Sequence, residues 1–76
     1  MSADEMFKKL RYKKYFNDEN EVITYAFEGS DYIKFYNKRK LVKAYIWQPE
    51  NDMPKYLNTK ELQAINEKVK ELGWNE

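Results

Sequence analysis

The sequence predicts an α+β domain, in which an antiparallel β-meander of three to four strands lies between an N-terminal and a C-terminal helix. Three observations lead to this prediction. Both ends of the 76-residue chain carry helix start signals followed by apolar residues at helical spacing. The middle consists of short runs that alternate in character and are rich in β-branched and aromatic residues. Polar turns separate these runs, so we expect consecutive strands to pair antiparallel and both amphipathic helices to cover one face of a single domain, residues 1–76.

The first predicted helix begins at Ser2, whose side chain can cap the free amides while Glu5 reaches back to the Ser2 amide. A short apolar stripe follows at Ala3, Met6, Phe7 and Leu10. A helix of this length is marginal alone and must pack against something else. Residues 12–16 leave two alternatives open, because they can form the first strand or extend this helix. The polar residues 17–20 are typical of a turn.

Three further strands are predicted at residues 21–28, 31–38 and 41–48. The turn between the last two has either two residues, Lys38–Arg39, or four residues, Asn37–Lys40. Either length sets Phe35 opposite Val42. This register keeps the apolar residues of both strands on the same face of the sheet.

The clearest helix in the sequence begins at a cap on Asn58, which can form a second capping box with Glu61. Apolar residues then recur on one helical face at Leu62, Ile65, Val69 and Leu72. Gly73 stands where a left-handed residue ends a helix. In the Schellman motif that such a residue forms, the next residue, here Trp74, packs back onto the helix near Val69.

A loop at residues 48–56 joins the last strand to this helix, and we expect Met53 and Tyr56 to tuck beneath the sheet. The core is predicted between the sheet and both helices. Its members come from the helical stripes and from one face of the strands: Phe7, Leu10, Ile23, Tyr25, Phe27, Ile33, Phe35, Val42, Ala44, Ile46, Leu62, Ile65, Val69 and Leu72.

Composition argues against several classes of function. The chain has no Cys and no His, which removes thiolate metal sites, the commonest metal ligand and the commonest general base. The acidic residues lie at turns, caps and helix surfaces, and there is no Gly-rich phosphate loop. We therefore expect a protein that is not an enzyme and uses no cofactor or metal. No segment has the length and apolarity of a membrane span or a signal peptide, so we expect a cytoplasmic protein without a membrane partner.

If both helices cover one face, the other face carries aromatic residues that alternate with lysines. The candidate binding residues there are Tyr32, Lys34, Tyr36, Lys43, Tyr45 and Trp47. The rings could stack on unpaired bases while the lysines contact phosphates. They could instead pack across strands beneath lysine stems, or bind a protein, including a second copy. The net charge of +1 disfavours the first interpretation, because such platforms usually lie in a basic setting.

Three segments carry recognisable motifs: ELQAINEKVKELGW at residues 61–74, MFKKLRYKKYFNDEN at residues 6–20, and DYIKFY at residues 31–36. Together they resemble a group of small uncharacterised proteins encoded by prophages and mobile elements of Gram-positive bacteria. In that group a short first helix runs into a glycine-containing turn, and Arg11 stands here at the place of the glycine. The resemblance implies a phage-related origin and brings no catalytic residues to this chain.

The leading hypothesis is a small non-enzymatic interaction module that binds a protein partner or itself through the aromatic sheet face or an edge strand. The alternative is a single-stranded nucleic-acid binder that uses the same face. Salt separates the two hypotheses. Nucleic-acid affinity falls steeply as salt rises because binding releases counterions, whereas an aromatic protein interface responds weakly.

Overall fold

The computed structural model describes residues 1–15 and 21–74, which form two helices and a five-stranded antiparallel sheet. The elements in chain order are α1 (Ala3–Lys9), β1 (Lys13–Tyr15), β2 (Val22–Phe27), β3 (Asp31–Tyr36), β4 (Leu41–Ile46), β5 (Met53–Pro54) and α2 (Thr59–Glu71). The strands lie side by side in sequence order. The predicted α+β class, with a meander between two terminal helices, is confirmed. Phe16 and the turn predicted at residues 17–20 lie outside the described residues.

The way α1 ends decides between the alternatives left open for residues 12–16. The Arg11 amide donates to the Lys8 carbonyl at 2.9 Å. The Tyr12 amide donates to the Phe7 carbonyl, also at 2.9 Å. These two bonds are those of a Schellman motif, and Arg11 adopts the left-handed backbone that the motif needs, with φ at 70°. The chain therefore leaves the helix, and Lys13–Tyr15 pair with β2 as a strand.

The end of α2 repeats this motif and confirms the prediction made from Gly73. Gly73 is left-handed, with φ at 74°. The Trp74 amide donates to the Val69 carbonyl at 3.1 Å. The indole of Trp74 then reaches the sheet, where it donates to Asn37 Oδ1 at 2.7 Å and lies 6.1 Å from the ring of Phe35. Trp74 thus joins the end of the helix to the end of β3.

The register between β3 and β4 is the predicted one. Phe35 pairs with Val42, and the ladder closes at Tyr36 and Leu41. The connection is therefore the four-residue alternative, Asn37–Lys40. Because the two strands keep this register, Phe35 and Val42 share the helix side of the sheet, while Tyr36 and Leu41 share the opposite side.

The core lies on the side of the sheet that faces the helices. At its centre, Phe7 stacks on Tyr25 with ring centroids 4.0 Å apart and meets Phe35 edge-on at 6.1 Å. Ile46 is half-buried. The sequence did not predict Tyr12 as a core residue, yet it is only 7% exposed and packs against Phe7. The other predicted members that are buried or packed against this cluster are Leu10, Ile23, Phe27, Ile33, Ala44, Ile65, Val69 and Leu72.

The prediction is wrong for two core residues. Val42 is 37% exposed and Leu62 is 46% exposed. The ring contacts made from α1 and from the end of α2 reach β2 and β3, whereas Val42 lies beyond them on β4. Leu62 points away from the sheet because the buried face of α2 is rotated from the apolar stripe. That buried face consists of Glu61, Ala64, Ile65 and Lys68.

The segment predicted as a loop at residues 48–56 contains a short fifth strand. Met53–Pro54 pairs with the end of β4. The expectation that Met53 and Tyr56 tuck beneath the sheet is wrong, since they are 47% and 94% exposed. Neither helix within residues 1–15 and 21–74 is long and apolar enough to cross a membrane.

Candidate binding surface on the open sheet face

The face of the sheet opposite the helices, called the open face below, collects side chains from all five strands. Trp47 follows β4 on this face, because its amide donates to the Ser30 carbonyl at 2.7 Å and so continues the ladder. The structure therefore brings the predicted site residues together on one surface. The strand residues of the open face are Lys13, Tyr15, Val22, Thr24, Ala26, Tyr32, Lys34, Tyr36, Leu41, Lys43, Tyr45 and Pro54.

Tyr45 forms the buried centre of the open face. It is only 8% exposed, and its ring stacks on Tyr32 with centroids 5.3 Å apart and planes 16° from parallel. The ammonium groups of Lys43 and Lys34 lie 4.7 and 5.6 Å from the Tyr45 centroid. A cation at such a distance is attracted by the face of the ring. Tyr45 therefore positions its neighbours and does not offer its own ring to a partner.

The two lysines above Tyr45 form the most distinctive feature of the open face. Lys34 and Lys43 stand directly opposite each other on β3 and β4. Like charges in this position destabilise a sheet. Among the described residues neither lysine has an acidic partner. The shared ring offsets part of the repulsion, and a bound anionic group would offset more. The pair is therefore suited to contact an anion.

Two exposed aromatic rings lie on the open face, one just after the end of β4 and one on β1. Trp47 is 54% exposed and Tyr15 is 45% exposed, while Tyr32 and Tyr36 are half-buried. Sequence analysis missed Tyr15, because it lies in residues 12–16, whose conformation was left open. Once that segment is a strand, the period of two places Tyr15 on the open face.

A hollow of about 310 Å³ lies beside the lysine pair. It is lined by Tyr15, Thr24, Tyr32 and Lys34. Thr24 is 5% exposed and forms its floor. The hollow thus combines two tyrosine side chains with one ammonium group, which is the chemistry that holds a flat ring next to an anion.

The charge of the open face differs from that of the rest of the chain. Among its described strand residues the face carries no acidic side chain, and its charged groups are Lys13, Lys34 and Lys43. These three lysines contribute +3, so with a net charge of +1 the remainder of the sequence must carry −2. The net charge therefore conceals a basic face, and it is a poor reason to disfavour an anionic partner.

The charged groups on the helix side of the sheet form a buried network. Glu61 Oε2 accepts a hydrogen bond from the hydroxyl of Tyr12 and lies 3.3 Å from Lys55 Nζ. Lys55 Nζ lies 3.0 Å from Asp31 Oδ2. The Asn58 amide donates to Glu61 Oε1 at 2.9 Å. The network joins the start of α2 to β3 and to Tyr12, three residues after the end of α1.

The pKa shifts in this network make it poorly suited to acid–base catalysis near neutral pH. Burial raises the pKa of Glu61, but the hydrogen bonds from Tyr12, Asn58 and Lys55 outweigh it and lower that pKa overall. Burial, and then the neighbouring Glu61, raise the pKa of the Tyr12 hydroxyl. Burial opposes the shift at Lys55, yet Asp31 and Glu61 raise its pKa. Since a general acid or base works best near the operating pH, we interpret the network as structural.

Asp4 forms a second junction, between α1, the sheet and α2. Its carboxylate accepts a hydrogen bond from the hydroxyl of Tyr25 and lies 3.3 Å from Lys14 Nζ and 3.8 Å from Lys68 Nζ. Burial opposes ionisation, but these partners together lower the pKa of Asp4. Within residues 1–15 and 21–74 no group of three or more acidic side chains is arranged to hold a metal ion.

Comparison with models of protein families, with curated proteins and with solved structures gives no match in any of the three. The resemblance to prophage proteins stays a prediction. The function is therefore inferred from this chain's own residues.

Proposed function

We propose that the protein is a small non-enzymatic interaction module whose open face binds an acidic surface of a partner protein. The observation that carries this proposal is the lysine pair, Lys34 and Lys43, held over the ring of Tyr45 without an acidic side chain among the described strand residues of that face. The exposed ring of Trp47, four residues beyond Lys43 on the same face, suits an interface, because aromatic side chains are enriched in interface centres.

Binding of a second copy through the same face is less favourable. A two-fold interface sets one surface patch against itself. When that patch is centred on the lysine pair, Lys34 and Lys43 of one copy lie against those of the other, and like charges at an interface cost several kcal/mol. A partner of opposite charge does not incur this cost.

Single-stranded nucleic acid is the second candidate, and the hollow beside the lysine pair favours it. Tyr15 and Tyr32 line that hollow together with Lys34. A base could stack against these rings while Lys34 contacts a phosphate, and each stacked base is worth about 1–3 kcal/mol. With either partner, we propose a cytoplasmic protein of prophage or mobile-element origin, supported by the resemblance of residues 61–74.

The test compares two double variants that remove the same charge. Lys34→Gln with Lys43→Gln alters the open face, while Lys9→Gln with Lys60→Gln alters exposed helical lysines and serves as the control. Tagged wild type and both variants are used to capture partners from a Gram-positive bacterial lysate, with and without nuclease. We expect an acidic protein that wild type and control retain and the open-face variant loses. Equal retention by both double variants contradicts the proposal.

A titration separates the two candidates. Mixed-sequence single-stranded DNA is added to ¹⁵N-labelled protein at roughly 50 and 200 mM salt. If the nucleic-acid candidate is correct, the amides of residues 32–36 and 43–47 shift at low salt and return at high salt. If the protein candidate is correct, these amides do not respond to DNA, and nuclease leaves the captured protein in place.

A further inference from the structure

The second half of β4 is paired along its outer edge, whereas its first half has no pairing partner there among the described residues. β5 pairs with Tyr45 and Ile46, and the Lys55 amide donates to the Ala44 carbonyl at 3.3 Å. No described residue pairs with the outer side of the first half of the strand, Leu41–Lys43. The structure thus leaves an unpaired edge next to the turn at Asn37–Lys40.

The main-chain groups that face outward on this edge belong to Val42. The Trp47 amide points inward, because it donates to Ser30, and the Ala44 carbonyl points outward, because it accepts from Lys55. Main-chain direction alternates along an antiparallel strand. The N–H and C=O of Val42 therefore point away from β3 and are open to a further strand.

Exposed aliphatic side chains lie on both faces of the sheet at this same edge. Leu41 is 51% exposed on the open face. Val42 is 37% exposed on the helix side, where Met53 of β5 is 47% exposed. An added strand projects alternate side chains to both faces. An added strand would therefore cover Leu41 and Val42 together.

The charges around the edge specify the chemistry of that strand. Lys38, Arg39 and Lys40 form the adjoining turn, and Lys43 closes the unpaired stretch. Lys38 pairs with Glu21 at 3.1 Å. The other three cations have no acidic partner among residues 1–15 and 21–74. Acidic residues at the ends of an incoming strand would neutralise them.

A second copy as the added strand, and β1 as the edge that binds it, both fit less well. A second copy pairing antiparallel through its own β4 would bring the basic turn of one copy next to Lys43 of the other, which is unfavourable. At the opposite edge of the sheet, β1 is three residues long and carries Lys13 and Lys14. Lysines on a short edge strand are a common way to prevent pairing.

We propose that the first half of β4 binds an extended segment of a partner protein as an added strand, with apolar residues in the centre of the segment and acidic residues at its ends. The edge shares Lys43 with the lysine pair of the open face, but the outward main-chain groups of Val42 that would pair with the added strand are separate from that pair. The inference does not depend on the function proposed above, and either can fail alone.

The test uses an eight-residue peptide with Val and Ile at its centre and Asp at both ends, added up to about 2 mM to detect a Kd near 1 mM. A peptide with Lys in place of Asp is the charge control. We expect the Val42 amide of the wild-type protein to shift and to exchange its hydrogen several-fold more slowly with the acidic peptide, and neither change with the basic peptide.

Two variants test whether binding needs the outward N–H of Val42. Val42→Pro removes the outward N–H without breaking the ladder to β3, as proline is tolerated on such an edge, and Val42→Thr keeps the N–H. Amide spectra confirm that both fold. Binding should be lost in the first and kept in the second. Equal binding to Val42→Pro, shifts confined to Tyr32 and Lys34, no binding at 2 mM, or concentration-dependent dimers with the same Val42 shift would each overturn the proposal.

Discussion

At the scale of single residues, Glu61 shows how one side chain can combine a local and a tertiary role. The sequence predicts it as the acidic residue of a capping box, and its backbone and side-chain bonds with Asn58 confirm this. The same carboxylate also receives Tyr12 and Lys55 from distant parts of the chain. It is only 6% exposed, so its charge depends on these partners.

Glu61→Gln should lower the free energy of unfolding by about 1–3 kcal/mol, because it removes the charge that Lys55 and Tyr12 face and leaves buried polar groups imperfectly paired. Glu67→Gln on the same helix is the matched control. Glu67 is half-buried and pairs at 3.8 Å with the exposed Lys70 Nζ, and its loss should change stability by less than about 0.5 kcal/mol. Urea unfolding of the two variants measures the difference, and equal losses would contradict a structural role for the network.

The pH dependence of stability should also follow from Glu61. Its pKa is lowered in the folded state, so the folded protein binds fewer protons than the unfolded chain. The stability that results is present above the ordinary Glu pKa, about 4.3, and is lost as the pH falls through the lower folded pKa.

We therefore expect Glu61→Gln to flatten, between about pH 5 and pH 2, the decline of the unfolding free energy that wild type shows. Some decline will remain in Glu61→Gln, because Asp4 is shifted in the same direction. Parallel curves for Glu61→Gln and wild type, measured by urea unfolding across this range, would show that Glu61 does not contribute.

At the scale of secondary-structure elements, both helices end in a Schellman motif, but with different residues in the left-handed position. Gly73 fills that position after α2 and Arg11 fills it after α1, with φ at 74° and 70°. A left-handed conformation costs a residue with a side chain roughly 1–2 kcal/mol, and glycine adopts it freely. The turn after α1 therefore holds Arg11 in a backbone conformation that arginine does not favour.

Arg11→Gly should raise the free energy of unfolding by about 0.5–1 kcal/mol, since relief of the left-handed strain exceeds the greater freedom of glycine in the unfolded chain. Arg39→Gly is a matched control, because Arg39 is exposed and does not have a positive φ. That substitution should be neutral or destabilising. Thermal unfolding of both variants measures the change in stability. A loss of stability in Arg11→Gly would contradict the prediction.

The face that α2 buries differs from the apolar stripe that the sequence predicts. Ile65 is 6% exposed, whereas Leu62, three residues earlier on the predicted stripe, is 46% exposed. We expect Ile65→Ala to cost about 2–4 kcal/mol and Leu62→Ala to cost less than about 1 kcal/mol. Urea midpoints compare the two variants directly. Similar costs at both positions would mean that Leu62 packs in the core, as the sequence predicts.

At the scale of the whole molecule, one aromatic side chain links the first helix to the sheet. Phe7 is fully buried, stacks on Tyr25 and touches Phe35 and Tyr12. A small domain has a limited margin, which for 76 residues is about 4–11 kcal/mol. Each of these ring contacts joins α1 to a different part of the chain, so the fold depends on this cluster as a unit.

Phe7→Ala should cost about 3–5 kcal/mol and lower the melting temperature by more than about 12 °C. Tyr56→Ala is the control for an aromatic residue outside the core, since Tyr56 is 94% exposed, and it should melt within about 3 °C of wild type. Calorimetry or circular dichroism measures both. A small effect of Phe7→Ala would show that the cluster does not hold the two layers together.

The sequence by itself determined that an antiparallel meander lies between two terminal helices. It also determined the capping boxes, the end of α2 and the register of β3 with β4. Each of these depends on residues a few positions apart, whose side-chain chemistry and spacing are read directly along the chain. The sequence also placed the candidate residues Tyr32, Lys34, Tyr36, Lys43, Tyr45 and Trp47 on one face, because the period of a strand fixes that face.

Only the tertiary structure decided which of these residues are covered. Burial depends on where a helix lies across the sheet and on which side chains meet from distant segments. That is why Tyr12 and Glu61 are inside and Val42 and Leu62 are outside. For the same reason the structure, and not the period, shows Tyr45 beneath its neighbours. The amphipathic pattern of an element selects a face, while packing between elements selects how much of that face is buried.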